Sequence, residues 1–415
     1  MLDIKFIKDN KELVQENNKT RGVNVDVDHL LSVYEQRNIL LKQAEEKRGE
    51  RNKSSKTKPS AEVIEKMKAL GEELKKTETE LKDKEQELNL LLWQLPNINA
   101  TDTAIGASEE DNKVEKTVGD KPDFDFEIKD HADLEQALDI IDMEKGAQVS
   151  GARFWYLKGQ LVELQFALTQ FVWAKLIKKG FQPLAVPHLV KERAMFGTGF
   201  FPAEKNEIYN VNQEDDNLHL IGTAEVPLIN YHVDEVLDLE KPKKYFAFTP
   251  AYRREAGSYG KDTKGILRGH QFDKIEMVAF CQPDQAESIH QDILSIEEEI
   301  WQELGIPYQV VNVCSGDLGC PAAKKYDIEA WMPAQEKYRE VTSCSNTTDF
   351  QTRRLNIKYQ TGDKKELAYT LNGTGMAFGR ALMAIMENYQ TANGTIKMPK
   401  ALKKYLSFKE IKKSV

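Results

Sequence analysis

Cysteine is scarce in this chain of 415 residues. The four cysteines are Cys281, Cys314, Cys320 and Cys344, and no pair has CxxC spacing. So few and so irregularly spaced thiols argue against a disulfide framework. Cys314 and Cys320 could in principle bind zinc together with a distant histidine. We favour reduced, mostly buried thiols instead, and we expect no zinc.

Long apolar runs are also lacking. No stretch approaches the roughly 20 apolar residues that a membrane-spanning helix requires. The first residues, MLDIKFIKDNKELV, contain no apolar core of a signal peptide. We therefore expect no membrane association and a cytoplasmic location.

A net positive charge is missing as well, since the formal net charge is -9. That total does not exclude a nucleic-acid partner, because binding depends on local patches of charge rather than on the sum. The length favours two domains, each large enough to bury a core.

Proline is nearly absent from the first part of the chain, where Pro59 is the only one before residue 96. Residues 1–25 predict a short amphipathic helix with a small core of Ile4, Phe6, Ile7, Leu13 and Val14. Residues 26–95 predict two antiparallel helices that meet near Pro59, with Ser60 capping the second. Helices of about 30 residues would form an arm roughly 45 Å long.

A heptad pattern supports this coiled coil. The weaker seam of the first helix comprises Leu30, Tyr34, Leu41 and Ala44. The seam of the second helix alternates steps of four and three, and it comprises Val63, Met67, Leu70, Leu74, Thr77, Leu81, Lys84, Leu88, Leu91 and Leu95.

Basic residues cluster between the two predicted helices, in the segment KRGERNKSSKTK. Such a cluster suits contacts to RNA phosphates. The alternatives are a solvated lysine-rich turn and a hairpin that serves only for oligomerisation. The cations are Lys47, Arg48, Arg51, Lys53, Lys56 and Lys58.

The central feature of the second part is the run 245–280, which predicts a β-hairpin with a long cationic loop. Period-two alternation places Arg253 and Glu255 on one face of the first strand. Phe272 and Glu276 share a face of the second strand, about 13 Å apart. A ring and a carboxylate at that separation could hold two ends of an extended ligand, with Arg253 on a phosphate between them. An ordinary sheet hairpin is the alternative.

Three further segments carry predictions about structure. Residues 150–180 predict one long helix that ends at Gly180, and residues 284–304 predict a helix with an exposed Glu-rich face. Gly373, Gly375 and Gly379 bracket a predicted strand-to-helix turn. Because Arg380 in the first helical turn opposes the helix dipole, we expect an anion such as a triphosphate there.

Four segments resemble the motifs of one enzyme family. The run YRREAG, a loop with Arg268, and HQFDKIEM resemble motif 2 of the class II aminoacyl-tRNA synthetases, in the form found in seryl-tRNA synthetases. LNGTGMAFGRALMAIMENYQ resembles motif 3, GTAEVPL resembles the serine-binding loop, and FQPLAVPHLV resembles motif 1. The segment GTGFFP departs from the family pattern, and Thr374 replaces the usual serine of the NGS sequence.

The resemblance implies an α+β protein, in which an antiparallel two-helix coiled-coil arm precedes a mostly antiparallel sheet flanked by helices. It implies a tRNA-binding arm over residues 1–103, with the coiled coil at about 26–95, and a catalytic domain over 104–415. Motifs 1, 2 and 3 would lie at about 181–190, 245–280 and 371–390.

The implied activity is ATP-dependent attachment of L-serine to tRNA(Ser) through seryl-adenylate, and also to tRNA(Sec) where that tRNA exists. The implied partners are tRNA(Ser), bound by its long variable arm, and a second subunit held through motif 1 around Pro187. ATP is a substrate and Mg²⁺ a cofactor. The alternatives are a synthetase relative that loads a carrier protein, a non-catalytic RNA-binding paralogue, and a coiled-coil scaffold with an unrelated domain.

The resemblance also implies the site residues. The catalytic residues would be Arg253, Glu276 and Arg380. Serine would be bound by Thr223, Ala224, Glu225, Arg253, Glu276 and Thr374. ATP would be bound by Arg253, Arg254, Glu255, Gly269, Phe272, Glu340, Val341, Thr342, Ser343 and Arg380. Glu340 and Ser343 would hold Mg²⁺; without the resemblance, we would pair Glu340 with Arg339.

Overall fold

We analysed a computed structural model, which describes residues 1–54, 60–212, 214–256 and 265–413. The chain divides into two compact units, Met1–Ile98 and Asn99–Val415. The division predicted from the sequence places the boundary five residues later, after residue 103. Among the described helices, none combines the length and the apolar character that a bilayer crossing demands.

The first unit is entirely helical. Its helices are α1 (Ile4–Asp9), α2 (Lys11–Thr20), α3 (Val27–Ser54) and α4 (Ala61–Gln94). Residues 1–25 therefore form two short helices rather than one. Ile7 and Val14 are fully buried, but Leu13, which we predicted in the core, is 48% exposed.

Helices α3 and α4 run antiparallel, as the heptad pattern predicts. His29 of α3 is hydrogen-bonded to Glu87 of α4, and Arg48, later on α3, is hydrogen-bonded to Glu78, which is earlier on α4. Leu74, Thr77, Leu81 and Leu88 of the predicted seam are buried. The Ser60 side chain caps α4 by accepting a hydrogen bond from the Val63 N–H at 3.4 Å. Pro59 lies outside the described residues.

The second unit is built around one large sheet. The strands of the unit are β1 (Lys113–Val118), β2 (Ile141–Asp142), β3 (Tyr156–Leu157), β4 (Gln182–Pro183), β5 (Leu189–Lys191), β6 (Asn210–Val211), β7 (Leu218–Leu220), β8 (Val236–Leu237), β9 (Lys243–Tyr252), β10 (Gln271–Cys281), β11 (Tyr308–Asn312), β12 (Lys324–Met332), β13 (Lys337–Thr348), β14 (Lys358–Thr361), β15 (Lys364–Leu367), β16 (Tyr369–Ala377), β17 (Ile396–Lys397) and β18 (Glu410–Ile411).

The large sheet has the order β1-β11-β12-β13-β16-β10-β9-β4. Every neighbouring pair in it is antiparallel except β4 and β9. The α-helices of the second unit are α5 (His131–Leu138), α6 (Met143–Ser150), α7 (Gln160–Lys178), α8 (Glu192–Thr198), α9 (Glu225–Asn230), α10 (Ala286–Leu304), α11 (Phe350–Leu355) and α12 (Phe378–Asn388). The predicted fold class, a helical arm followed by a mostly antiparallel sheet with helices, is confirmed.

The main core lies between this sheet and helices α7, α10 and α12. It contains Leu168, Trp301, Tyr308 and Leu382, all essentially buried. The predicted helix over 150–180 is too long, because α7 begins only at Gln160. Residues before it form β3, which pairs with β2, and Gly159 has a φ of 53° at the start of the helix.

Candidate active site

A cavity of about 380 Å³ opens on the large sheet and is lined by residues of β10, β12, β13 and β16. Of the residues predicted to bind serine or ATP, all line this cavity except Ala224 and Arg254. Ala224 is fully buried in an apolar cluster. The Arg254 backbone N–H donates to the Glu207 carbonyl at 2.8 Å, and its guanidinium lies 6.0 Å from the Tyr209 ring centre.

One part of the cavity is lined by the carboxylates of Glu225 and Glu276. The Thr223 hydroxyl donates to Glu276 at 2.6 Å, and Lys274 forms an ion pair with the same carboxylate. Gln351 and Asn372 donate to Glu225 Oε1 at 2.7 and 3.0 Å. Burial, reinforced by the charge of Glu276, raises the pKa of Glu225 to about 7.

Sequence reasoning missed Lys274, Gln351 and Asn372. Lys274 precedes Glu276 by two residues on β10, so period-two alternation could have placed it on the same face. No local sequence pattern connects Gln351 or Asn372 with Glu225. The two residues lie 126 and 147 positions from Glu225 in the sequence and contact it only in the folded chain.

Another part of the cavity combines an aromatic ring with arginines. The Arg253 guanidinium lies 5.4 Å from the Phe272 ring centre, and its Nε donates to the Gly222 carbonyl at 3.2 Å. Strand β9 ends at Tyr252, so the predicted placement of Arg253 and Glu255 on the strand is wrong. Glu255 has a φ of 50°, a turn conformation, and Arg268 donates to its carboxylate at 3.3 Å.

Arg380 lies beside Glu340 at the start of α12. Its Nη1 donates to the Glu340 carbonyl at 2.7 Å and lies 3.3 Å from the carboxylate. Removal from bulk water opposes ionisation of Glu340, but the charges of Arg380 and Lys325 lower its pKa to about 2. Arg380 is therefore an ion-pair partner of Glu340, which the alternative pairing with Arg339 did not include.

A β-bulge brings Glu340 and Ser343 onto one face of β13. Ile328 of β12 is opposite Thr342 and Glu329 is opposite Glu340, so Val341 is the extra residue. Without the bulge, residues three apart would point to opposite faces. Both side chains line the cavity.

The described part of the chain has no group of three or more His, Cys, Asp or Glu side chains placed to hold a metal ion. An ionised carboxylate with a neighbouring hydroxyl nevertheless suits Mg²⁺, which commonly takes one or two protein ligands and completes its shell with water and substrate phosphates.

The motif 3 glycines have a different role from the predicted one. Gly373 and Gly375 lie within β16, which continues directly into α12 without a turn. A Cβ atom on Gly373 would lie 2.3 Å from Ile293, and one on Gly375 would lie 2.8 Å from Ile275. These two glycines allow close packing, so the prediction that they form a turn is wrong. The anion expected beside Arg380 stays a prediction, and Gly379 and Arg380 line the cavity.

The predicted RNA-binding cations belong to the first unit. Arg48 Nη2 lies 2.8 Å from Glu78, and Lys47 lies 3.4 Å from Glu73, so both are already paired within the coiled coil. Arg51 and Lys53 are exposed at the end of α3. Two more predicted cations, Lys56 and Lys58, lie outside the described residues.

Comparison with known proteins gives a consistent picture. Residues 1–99 match the family model of the seryl-tRNA synthetase N-terminal domain, and residues 209–389 match the class II tRNA synthetase core domain for G, H, P, S and T. The serine–tRNA ligase of Treponema denticola is 43% identical and is similar across 99% of this chain and 100% of its own. That of Dictyoglomus thermophilum is 44% identical, with 99% of both chains covered.

The fold of the whole chain is similar to that of a solved structure. The crystal structure of seryl-tRNA synthetase from Pyrococcus horikoshii complexed with ATP superposes with a TM-score of 0.90. The two sequences are 39% identical, and the whole of each chain is covered.

Proposed function

The chain belongs to the seryl-tRNA synthetase family, and we propose that it attaches L-serine to tRNA(Ser) in two steps through seryl-adenylate. It is a class II serine–tRNA ligase, and tRNA(Sec) is a second acceptor wherever that tRNA exists. The observation that supports this most directly is one cavity that combines two buried carboxylates with the Phe272 ring and three arginines.

Serine occupies the part lined by the carboxylates. Glu225 binds the ammonium group, and Thr223 and Ala224 shape the loop that carries it. Glu276 and Thr374 bind the serine hydroxyl. These two residues are directly opposite each other on β10 and β16, and both are nearly inaccessible to bulk water. A dry site built to bond a hydroxyl rejects alanine strongly, because its polar groups would then stay unpaired.

ATP occupies the part lined by the ring and the arginines. Adenine stacks on Phe272, and Glu255 contacts its amino edge. Arg253 binds the α-phosphate, and Arg380 binds the γ-phosphate. The backbone of Gly269, Val341 and Thr342 adds contacts, with Arg254 nearby.

Glu340 and Ser343 would hold Mg²⁺ where the nucleotide binds. When bound, the ion neutralises phosphate charge. Glu340 suits this role because it is ionised at neutral pH and because the bulge at Val341 aligns it with Ser343.

Positioning and charge stabilisation account for both chemical steps. A serine carboxylate oxygen attacks the α-phosphorus in line, which forms the new O–P bond and breaks the bond to the departing pyrophosphate. Arg253 stabilises the negative charge of the five-coordinate centre. The 3′-hydroxyl of the terminal adenosine then attacks the acyl carbon, and AMP leaves. Neither step needs a nucleophile from the protein.

The coiled-coil arm binds the long variable arm of the tRNA. Support comes from the match of residues 1–99 to the N-terminal domain of the family and from the exposed Arg51 and Lys53 at the end of α3. Lys47 and Arg48 must exchange their glutamate partners for phosphates. That exchange costs little for Arg48, because a pair as exposed as Arg48–Glu78 contributes about 1 kcal/mol or less. Lys47 must also give up its hydrogen bond to the Thr77 hydroxyl.

Two subunits associate through the motif 1 region. Phe166, Trp173 and Ile177 recur at spacings of seven and four on α7, and they are 60%, 37% and 47% exposed. Leu189, beyond Pro187 in motif 1, is 41% exposed. Sedimentation velocity tests this proposal, since a single monomeric species at micromolar concentration would contradict it.

Amino-acid-dependent ATP–pyrophosphate exchange, measured without tRNA, tests the activity. We expect exchange with serine, very little with alanine, and little with threonine, which retains the hydroxyl but carries an extra methyl group. Exchange with no amino acid would favour the non-catalytic paralogue. Exchange with serine but no transfer to tRNA(Ser) would favour the relative that loads a carrier protein.

A further inference from the structure

Gln351 is fully buried in α11 and lies behind the cavity rather than on its wall. Its amide nitrogen donates to the Thr198 carbonyl at 3.0 Å and to Glu225 Oε1 at 2.7 Å. Its amide oxygen accepts from the Thr370 hydroxyl at 2.9 Å. The Thr347 hydroxyl lies 3.2 Å from the same oxygen and 2.8 Å from the Thr370 carbonyl. Both the nitrogen and the oxygen of this amide are therefore hydrogen-bonded.

These partners determine which way the amide faces. A backbone carbonyl cannot donate a hydrogen bond, so the atom that faces Thr198 must be the amide nitrogen. The same nitrogen therefore presents its second N–H to Glu225. The amide cannot flip without losing the bond to Thr198 and placing its oxygen against a carboxylate.

The fixed amide leaves one oxygen of Glu225 for a ligand. Gln351 and Asn372 both donate to Oε1. Within the part of the chain that the structure describes, Oε2 receives no hydrogen bond, and the side chain lines the cavity. One carboxylate oxygen is thus anchored, and the other faces the place where we put the substrate ammonium.

We propose that Gln351 is a positioning residue for serine activation: it fixes the Glu225 carboxylate in the orientation and in the ionised form that bind the amino acid's ammonium group. The inference rests on the proposed function. It extends that function to a side chain that contacts neither serine nor ATP and acts only through Glu225.

Charge explains why an amide donor matters at this position. Glu225 is buried and faces the like charges of Glu276 on β10 and Glu204, with Lys274 on β10 as the opposing cation. Burial and the two acids favour the protonated form, whereas the Gln351 N–H favours the carboxylate. Loss of this donor raises the pKa of Glu225 further, so less of the carboxylate is available near neutral pH.

The test compares three variants of the full-length enzyme. Gln351→Met keeps the volume of the side chain and removes the amide. Thr370→Val removes one of the two hydroxyls beside the amide oxygen, and it serves as the milder variant if Gln351→Met does not fold. Gln390→Met is the matched control, because Gln390 is also buried and its amide bonds only backbone groups.

The measurements are KM for serine and for ATP in pyrophosphate exchange, and kcat/KM for serine as a function of pH. We expect Gln351→Met to raise KM for serine about tenfold to a hundredfold, as for a lost hydrogen bond to a charged group, and to leave KM for ATP within about twofold. The acidic limb of the pH profile should move to higher pH. Thr370→Val should change KM for serine and the position of the acidic limb in the same directions, but by less. Gln390→Met should change neither of these two quantities.

Two results would overturn the inference while wild-type enzyme still exchanges with serine. One is an unchanged KM for serine in both Gln351→Met and Thr370→Val. The other is a parallel rise of both KM values with an unmoved pH limb, which would indicate a merely structural role. Wild-type enzyme that shows no serine-dependent exchange would instead overturn the proposed function itself.

Discussion

At the scale of single residues, the two carboxylates of the cavity have different surroundings. Glu225 Oε1 accepts from two neutral amides, whereas Glu276 is bonded to the Lys274 ammonium and the Thr223 hydroxyl. A carboxylate held by neutral amide donors keeps its charge available for a cationic partner from the substrate. A carboxylate already paired with a cation suits recognition of a neutral hydroxyl.

Replacement of Glu276 tests the hydroxyl site. Lys274 is 9% exposed, so Glu276→Ala would leave a buried cation unpaired and leave a cavity as well. Glu276→Gln is the milder variant: it also removes the ion pair with Lys274, but it keeps the volume and an amide oxygen that can accept from Lys274 or Thr223. We expect kcat/KM for serine in pyrophosphate exchange to fall at least about tenfold, from the loss of a charged hydrogen bond.

Free alanine as a substrate provides the internal comparison, because it lacks the hydroxyl. Its kcat/KM should fall less than that of serine in Glu276→Gln, so the preference for serine over alanine should shrink. Glu135→Gln is the matched control, a buried carboxyl that does not line the cavity. An unchanged preference for serine in Glu276→Gln would contradict the assignment.

At the scale of elements, α10 supports the sheet with acids that we predicted on its surface. Glu297 is fully buried, and the Thr374 backbone N–H donates to it at 3.0 Å. Glu298 accepts from the Tyr308 hydroxyl at 3.0 Å and pairs with Lys116. The prediction of an exposed Glu-rich face is wrong at these two positions. Gly373 permits the approach of Glu297, because a Cβ there would lie 2.8 Å from its carboxylate.

Stability as a function of pH tests the buried acid. Burial raises the pKa of Glu297 well above its ordinary value. Above about pH 4.5 the unfolded chain releases this proton while the folded chain keeps it, so the free energy of unfolding falls by up to about 1.4 kcal/mol per pH unit. Glu297→Gln removes that slope. We therefore expect the variant to gain stability relative to wild type between about pH 5.5 and about pH 8, as measured by urea denaturation.

The control variant is Glu299→Gln, two residues after Glu297 on α10. Hydrogen bonds from Lys179 and Lys175 lower the pKa of Glu299. Its stabilising effect is already complete above about pH 4.5 and is lost only as the pH falls through the lowered pKa. The stability difference between Glu299→Gln and wild type should therefore stay constant over the range in which that of Glu297→Gln changes. Parallel behaviour of the two variants would contradict the burial of Glu297.

At the scale of the whole molecule, each unit has a core of its own. In the first unit, Ile7 and Val14 of the short helices pack with Leu30 of α3 and Leu88 and Leu92 of α4. The helices α1 and α2 therefore depend on the coiled coil for their burial. The second unit has its main core between the large sheet and its helices.

Removal of the first unit separates the two activities of the enzyme. Deletion of residues 26–95 alone would strip α1 and α2 of their packing partners, so the cut belongs after Ile98. We expect the remaining chain to retain serine-dependent pyrophosphate exchange within about threefold, since the whole cavity lies in the second unit. Transfer of serine to tRNA(Ser) should fall by at least about a hundredfold, because the phosphate contacts that we propose for the arm would be lost.

Transfer that persists after the deletion would contradict the role of the arm. Loss of exchange together with transfer would show that the second unit needs the first for folding. Circular dichroism of the shortened chain separates that result from a direct catalytic contribution.

The sequence by itself determined the features that arise from local order. Heptad spacing predicted α3 and α4, Ser60 marked the start of α4, and alternation predicted the hairpin of β9 and β10. The same alternation placed Phe272 and Glu276 on one face, and the motifs identified the family. These signals are readable because helix and strand periods act between residues a few positions apart.

Only the tertiary structure decided how side chains from distant segments pair. It placed Gln351 and Asn372 on Glu225, Arg380 on Glu340, and Glu297 beneath β16. It also moved Arg253 and Glu255 off the end of β9 and aligned Glu340 with Ser343 through a bulge. Periodicity cannot predict these arrangements, because they depend on the order and register of the strands and on which buried groups find partners when the sheet closes.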